Sequence, residues 1–583
     1  MPTLFKEVNY NLATLIQQID LGVIGLPDLQ RPFVWSDTKI RDLFDSMYKG
    51  YPVGYFLFWA NANIEATKAI GTTEKQKHPN LLIVDGQQRL TSLYAVLNGE
   101  EIIRENYSKS VIVIAFNPLE DKFEVPDASI LKNPRFFHNI SEIWEKDADI
   151  FEITDHFIES LERVKEVSKD EKKKIRQSFN ALKNLDSYPF SALELSASIS
   201  EEQVADVFVR INSQGKTLNQ ADFILTLMSV FWETGRRDLE EFCRLCRLPS
   251  KETASPFNYL IDPDPDQMLR VSVGMSFRRA RLQYVYSILR GKDLESGEFS
   301  SDRRDDQFEK LRQGQAKVLN IQNWHEFIKA IKIAGFAKSD YISSKNNLLY
   351  AYTFFLIGRE DYKMNLYDLK KLIARWFFMS SITGRYTGSP ETAMEMDLAR
   401  LRQVHDSEGF ASVLNEIIDA QLTEDFWSIR LPMSMATSSS SSPSLYAYYA
   451  ALYIMDAYGL FSKLKVSDLL QEGLKSKKSA IERHHLFPKA WLKRNGFTEQ
   501  RETNQIANYA LIEWSDNISI ADKQPSEYLP FYLNRLNPED KSRMYYWHAL
   551  PNDWESMEYN DFLVARRKMI AQLIKAAYQK ICD

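Results

Sequence analysis

Residues 81–98 read LLIVDGQQRLTSLYAVLN, an apolar run of strand length that passes directly into helical spacing. Leu90, Leu93, Tyr94 and Leu97 recur on one helical face, so the strand ends at Asp85-Gly86 and a helix begins at once. The polar cluster Asp85, Gly86, Gln87, Gln88 and Arg89 therefore falls at a strand end and a helix N-terminus. There the first N–H groups and the helix dipole favour phosphate, and Gly86 allows close approach to the backbone. Arg89 suits phosphate oxygens, Asp85 suits a metal ion, and Gln87 or Gln88 can orient an attacking water. An ordinary strand-to-helix turn with an aspartate cap gives the same spacing, and spacing alone does not choose between the two.

Outward from this unit, SDTKIRDLFDSMYKG (36–50) has a Ser36 cap, an apolar face of Ile40, Leu43, Phe44 and Met47, and Gly50 as a stop, which predicts a helix. YPVGYFLFW (51–59) and SVIVIAF (110–116) read as buried strands, so the region is α/β or α+β. From about Ile143 the strands fade, and SLERVKEVSKDEKKKIRQSFNALKNL (160–185) reads as one long, charged surface helix. Helical patterns such as LYDLKKLIARWFFMSSI (366–382) dominate from Ala221 to the 420s, with no fixed repeat. The run Thr437–Pro443 reads as a boundary loop in which Ser442 caps a helix with Pro443 at its first position. The expected fold is multidomain α+β and mostly helical, with domains at 1–225, 226–430 and 431–583.

The 583 residues are too many for one core, and 26% of them are charged, giving a formal net charge of -6. Any nucleic acid must then be met by local basic patches. The longest apolar run, 348–357, is short of the ~20 residues a membrane span needs. The N-terminus lacks an export signal, and three cysteines fit a reducing compartment, so a cytoplasmic protein with no membrane association is expected. Cys243 and Cys246 in FCRLCRL have no second pair at zinc spacing and read as helix neighbours.

PDLQRPFVW (27–35) sets Gln30 and Arg31 before an extended segment, and VFVRINSQGKTLNQADF (207–223) carries Arg210, Asn212, Lys216 and Asp222. Gly215-Lys216-Thr217 is no P-loop, because Arg210 stands where the first glycine belongs. With VDGQQRLTSL and SSITGRYTGSPETAMEMD (380–397), these stretches resemble the N-terminal half of GmrSD-type, modification-dependent restriction enzymes, whose first domain has a ParB-like nucleotide-binding fold. The resemblance implies nucleoside triphosphate (ATP, GTP or another) bound and hydrolysed at Asp85, Gln87, Gln88 and Arg89. It also implies that Gly86, Gln30, Arg31, Arg210, Asn212 and Lys216 lie near that nucleotide.

A second cluster lies at IERHHLFPKAWL (481–492), holding two of the eight histidines, followed by NQIANYALIEWSDNISIADKQPSEYL (504–529). Phosphodiester cleavage needs a base to activate water and a cation to neutralise developing charge; imidazoles and amide or carboxylate oxygens serve both. The two stretches are similar to the HNH, or ββα-metal, nuclease motif found as the C-terminal half of the same enzymes. That similarity makes His485 the general base, His484 and Asn517 ligands of Mg²⁺ or Mn²⁺, Asn508 the residue fixing the hairpin loop, and Lys523 a phosphate contact. His484 stands where Asp or Glu is commoner and Asn517 where His is; Glu513 and Asp516 are nearby alternatives to Asn517. Adjacent strand residues face opposite ways, and a turn before Pro488 is expected to bring both imidazoles to one site. By itself a histidine pair beside a proline turn is an ordinary surface feature.

Basic residues alternate with aromatics in FRRARLQYVYSILRGK (277–292), with Arg278, Arg279, Arg281 and Arg290, and in ARRKMIAQLIKAAYQK (565–580), with Arg566, Arg567 and Lys568. Each can follow a phosphate backbone or form a solvated basic face. His138, His156 and His325 read as structural. The function expected is an NTP-dependent or NTP-regulated endonuclease for double-stranded, modified phage DNA, with a homodimer as one possible assembly. The alternatives are a nucleotide-dependent DNA-binding regulatory protein with an inactive HNH domain, and an RNA-cleaving toxin.

Overall fold

The structure is a computed structural model that describes residues 4–583 except 28–32, 34, 61–66, 69–79, 105–108, 197–198, 200–202, 205–206, 208–219, 251, 294–299 and 470–480. The chain forms two compact units, Met1–Arg237 and Asp238–Asp583. It is mostly helical, with a mixed sheet in the first unit.

The first unit is built on strands β1 (Phe5–Asn11), β2 (Ile24–Pro27), β3 (Phe56–Ala60), β4 (Thr67–Lys68), β5 (Leu81–Asp85) and β6 (Pro189–Leu195), in the order β1-β6-β3-β5-β2-β4. β6 runs parallel to β3, and β2 runs parallel to β5; the other pairings are antiparallel. Helices α1 (Leu12–Asp20), α2 (Asp37–Tyr48) and α3 (Gln87–Asn98) bury Leu15, Phe44 and Leu93 in one core with Phe56, Phe58 and Ile83. α2 starts and stops as expected: Ser36 Oγ accepts from Lys39 N–H, and Gly50 has φ +72°.

Two expected elements are each split. SVIVIAF is not one strand: Lys109–Val111 pairs with Glu101–Ile103, and Ala115–Asn117 pairs with Lys122–Glu124, while Ile112 and Ile114 between them are fully buried. The long charged helix is two, α4 (Ile150–Glu162) and α5 (Lys169–Lys183). Ser168 restarts the helix through a capping box, its hydroxyl accepting from Glu171 N–H and the Glu171 carboxylate accepting from Ser168 N–H.

In the second unit α6 (Pro265–Phe277), α7 (Ser301–Val318) and α8 (Lys345–Leu356) pack together, and α9 (Leu366–Thr383) lies against α8. α8 is buried on every side from Asn347 to Leu356, so it is a core helix rather than an amphipathic one. α9 also packs against α10 (Pro443–Ile454) and the long C-terminal helix α12 (Tyr559–Cys582). The segment 431–583 therefore belongs to the same compact unit as the helices before it. Within it lie β7 (Ile481–His485), its antiparallel partner β8 (Tyr509–Glu513), and the short helix α11 (Trp514–Ile520). α10 begins at Pro443 with Ser442 in the cap position, although the serine side chain makes no capping bond. Cys243 and Cys246 sit one turn apart on the helix Glu233–Arg247, both buried. No helix among the described residues is long and apolar enough to cross a membrane.

Arg566 on α12 corrects its reading as part of a solvated basic face, for it is fully buried. All five of its N–H donors are used: Nε donates to His548 O (3.1 Å), Nη1 to Ala507 O (2.7 Å) and Tyr509 O (2.8 Å), and Nη2 to His548 O (2.9 Å) and Tyr448 OH (3.4 Å). Removing it strands these acceptors away from water, so Arg566→Met is expected to destabilise the second unit by about 2–5 kcal/mol. Urea unfolding checks this, and a loss below about 1 kcal/mol would show that the clamp matters little.

Candidate functional site

In the first unit the turn Asp85-Gly86 joins β5 to α3 as read from the sequence. Gly86, not Asp85, holds the cap position of α3, with φ +93° and ψ +7° and no side-chain capping bond, so the turn is not an ordinary aspartate cap. A Cβ on Gly86 would come within 2.6 Å of Phe56 Cδ1. Arg89 folds back across this corner: Nη1 donates to Tyr55 O at 3.0 Å, and the guanidinium lies 5.3 Å from the Phe56 ring centroid. It also presses on Gly54, where a Cβ would meet Nη2 at 2.9 Å. Burial lowers the Arg89 pKa, against the raising effect of Asp85. Among the described residues the buried Gln87 Oε1 has no hydrogen-bond partner, and Ser92 Oγ donates to Gln88 O at 2.6 Å. The structure thus groups Asp85, Gly86, Gln87, Gln88 and Arg89 in one half-buried polar corner. Gln30, Arg31, Arg210, Asn212 and Lys216 lie outside the described residues.

In the second unit, β7, β8 and α11 form a strand–strand–helix arrangement. β7 continues through His485, which pairs with Tyr509, while His484 pairs with Ala510. The turn begins only after His485, so alternation sends the two rings to opposite faces instead of one. His484 is buried, and its Nδ1 lies 2.9 Å from Asn517 Oδ1 on α11. His485 is half-buried, with Nε2 at 3.0 Å from Asn504 Oδ1. An amide oxygen only accepts, so Nε2 of His485 carries the proton and Nδ1 keeps the lone pair. Asn504 was not anticipated, since no strand or helix period links it to His485.

Asn508 ends the short 3-10 turn Ile506–Asn508 that leads into β8. Fully buried, it accepts from Phe487 N–H through Oδ1 (2.8 Å) and donates through Nδ2 to Phe487 O (3.0 Å) and Thr503 O (3.2 Å). Tyr528 OH adds a bond to Leu486 O at 2.7 Å. Since Arg566 binds the carbonyls of residues 507 and 509, the backbone on either side of Asn508 is fixed as well.

His484 Nδ1 and Asn517 Oδ1 are separated by about the distance between two adjacent ligands on octahedral Mg²⁺, each at about 2.0–2.1 Å. Because an amide oxygen only accepts, Nδ1 of His484 carries the proton here and the two atoms are hydrogen-bonded to each other, so they become a ligand pair for a divalent cation only when that proton leaves. Among the described residues no group of three or more His, Cys, Asp or Glu side chains is placed to hold a metal. Asp516 does not replace Asn517 at His484; burial, with Glu513 nearby, raises its pKa. Lys523 Nζ donates to Ser519 O at 3.2 Å.

The arginines expected to meet DNA are engaged by the protein itself. Arg278 pairs with Asp361, Arg279 with Glu395 at 2.6 Å, and Arg281 Nη2 donates to Thr392 Oγ1 at 3.3 Å. Their helix was read without Asp361 and Glu395, which are distant in sequence. Arg385 and Tyr386 of the glycine-punctuated loop both bind the buried Asp397 that ends the same motif.

Gly86→Ala is expected to cost about 1–3 kcal/mol, because the new Cβ meets Phe56 and the backbone is left-handed. Denaturant unfolding tests it; an unchanged midpoint would contradict the packing. Burial lowers the pKa of His484 and His485 to about 4 and that of His548 to about 3. Unfolding frees these rings to take up protons below their ordinary value of about 6.5, so stability should fall as pH drops from there towards 4. The thermal midpoint should be lower at pH 5 than at pH 7, and His548→Gln should narrow the difference; equal midpoints in the parent would refute the assignment.

An uncharacterized protein of Methanocaldococcus jannaschii is 23% identical over 551 residues, covering 89% of this chain and 86% of the relative. Residues 12–229, which hold the Asp85–Arg89 corner, match the family model of the GmrSD restriction endonuclease N-terminal domain.

Proposed function

We propose that this chain is a metal-dependent DNA endonuclease that cuts modified phage DNA in bacterial defence under the control of a bound nucleoside triphosphate. The observation that carries the reading is the strand–strand–helix unit in which His484 meets Asn517 and His485 meets Asn504, in a chain whose residues 12–229 match a restriction-endonuclease N-terminal domain. On this reading residues 481–520 are an HNH unit. His485 Nδ1 takes the proton of the attacking water, while Asn504 holds the ring and Asn508 fixes the loop. A divalent cation held by His484 and Asn517, Mg²⁺ or Mn²⁺, would supply charge stabilisation at the phosphate and leaving oxygen, which requires Nδ1 of His484 to lose its proton and the end of β7 to turn so that both imidazoles meet one phosphate.

The nucleotide would bind at the Asp85–Arg89 corner of a ParB-like domain, joined by Gln30, Arg31, Arg210, Asn212 and Lys216. The buried Gln87 oxygen, unpartnered among the described residues, supports this, because such an atom is costly unless something fills the corner. The chain would act in the cytoplasm. A regulatory DNA-binding protein with a silent nuclease unit is the second reading, favoured by the small donor set at His484.

The test is cleavage of modified phage DNA and matched unmodified DNA with Mg²⁺ or Mn²⁺, with and without each nucleoside triphosphate. The parent should cut modified DNA, His485→Ala should lose about 10²–10⁴-fold in rate, and Asp85→Ala should lose the nucleotide response. Nucleotide hydrolysis with no cleavage under any condition would replace this reading with the regulatory one.

A further inference from the structure

The face of β7 that carries His485 also carries Arg483, two residues earlier, and the cross-strand Tyr509. Tyr509 lies 4.8 Å from His485 and 5.8 Å from the Arg483 guanidinium, centroid to centroid or carbon. Arg483 is exposed, and its charge reaches the hydroxyls of Tyr341, Tyr446 and Tyr449. Tyr341 and Tyr446 are stacked at 5.6 Å. Lys489, exposed just past the Pro488 turn, acts with Arg483 on His485.

These two cations differ from Arg278 and Arg279. Among the described residues neither Arg483 nor Lys489 has a carboxylate partner, whereas the charges of Arg278 and Arg279 are met by Asp361 and Glu395. Asp340, whose charge also reaches Tyr341 and Tyr446, is held by Lys338 at 2.8 Å. Arg483 thus has the Tyr509 ring beside it, which orients a guanidinium without cancelling its charge. Residues i and i+2 of a strand are about 6.5 Å apart, close to the spacing of successive phosphates on a DNA strand.

We propose that Arg483 and Lys489 seat the phosphates that flank the scissile one, so that the DNA strand is aligned on His485 from both sides. Arg483 takes one phosphate through its fork, steadied by the Tyr509 ring, and Lys489 takes another as a point charge. The proposal rests on the nuclease reading of this same site and names its DNA contacts.

The experiment is binding of a labelled DNA duplex by the full-length protein in EDTA, followed by anisotropy between about 50 and 200 mM salt, which does not require cleavage. Arg483→Gln and Lys489→Gln should each lower the slope of log affinity against log salt by about 0.9, and Arg483→Lys should restore most of it. Arg278→Gln, whose charge is already paired, should leave the slope unchanged. Both variants lie on the surface, and an unchanged thermal midpoint will show that they fold. Unchanged slopes in a parent that cleaves DNA overturn the seat and leave the nuclease reading standing. Lowered slopes in a parent that binds but never cleaves support the seat and remove the nuclease reading. A parent that binds RNA and not DNA overturns the proposal.

Discussion

Buried carbonyls need donors, and at residues 507 and 509 a single guanidinium supplies them. Arg566 enters the interior with no carboxylate among the described residues to meet its charge, and its five N–H groups are spread over three carbonyls and a tyrosine hydroxyl. Such a group is tolerated only where every donor is satisfied. Its position makes the residues around Asn508 rigid, and Asn508 in turn fixes the backbone of Phe487. The two histidines at the end of β7 are thereby held through main-chain bonds on the neighbouring residues.

The N-terminal corner is shaped by a different constraint, the missing side chain of Gly86. The left-handed turn allows Phe56 to sit against the backbone where β5 becomes α3, and the same ring supports Arg89. Close packing and a polar opening coexist there because glycine takes up no room. The C-terminal site achieves a comparable result with amides: Asn504 meets His485, Asn517 meets His484, Asn508 binds both Phe487 and Thr503, and none brings a charge.

What the sequence made legible was what is local. The strand–turn–helix at 81–98 and the capped helix Asp37–Tyr48 follow from periods and caps a few residues wide. The capping box at Ser168 was equally local, yet the charge run around it masked the break between two helices. Arg566 also left a signal, since it shares a helical face with Phe562, Leu563 and Ile570, but its basic neighbours made it look solvated. The partners of Arg278 and Arg279 could not be found that way, because ion pairs across helices follow no sequence period. The direction of the two imidazoles turned on whether β7 ended before or after His485, a difference of one residue that reverses a side chain's face.

The clamp on residues 507–509 also has a temporal side. Arg566 is 57 residues later in the chain than Tyr509, and a polypeptide is made from its N-terminus. While a ribosome is still adding the stretch between them, both histidines and their amide neighbours are already in the chain, but the guanidinium that seals them is not. Completion of the pocket is deferred to the emergence of α12, so a truncated or stalled chain carries the motif without its lock.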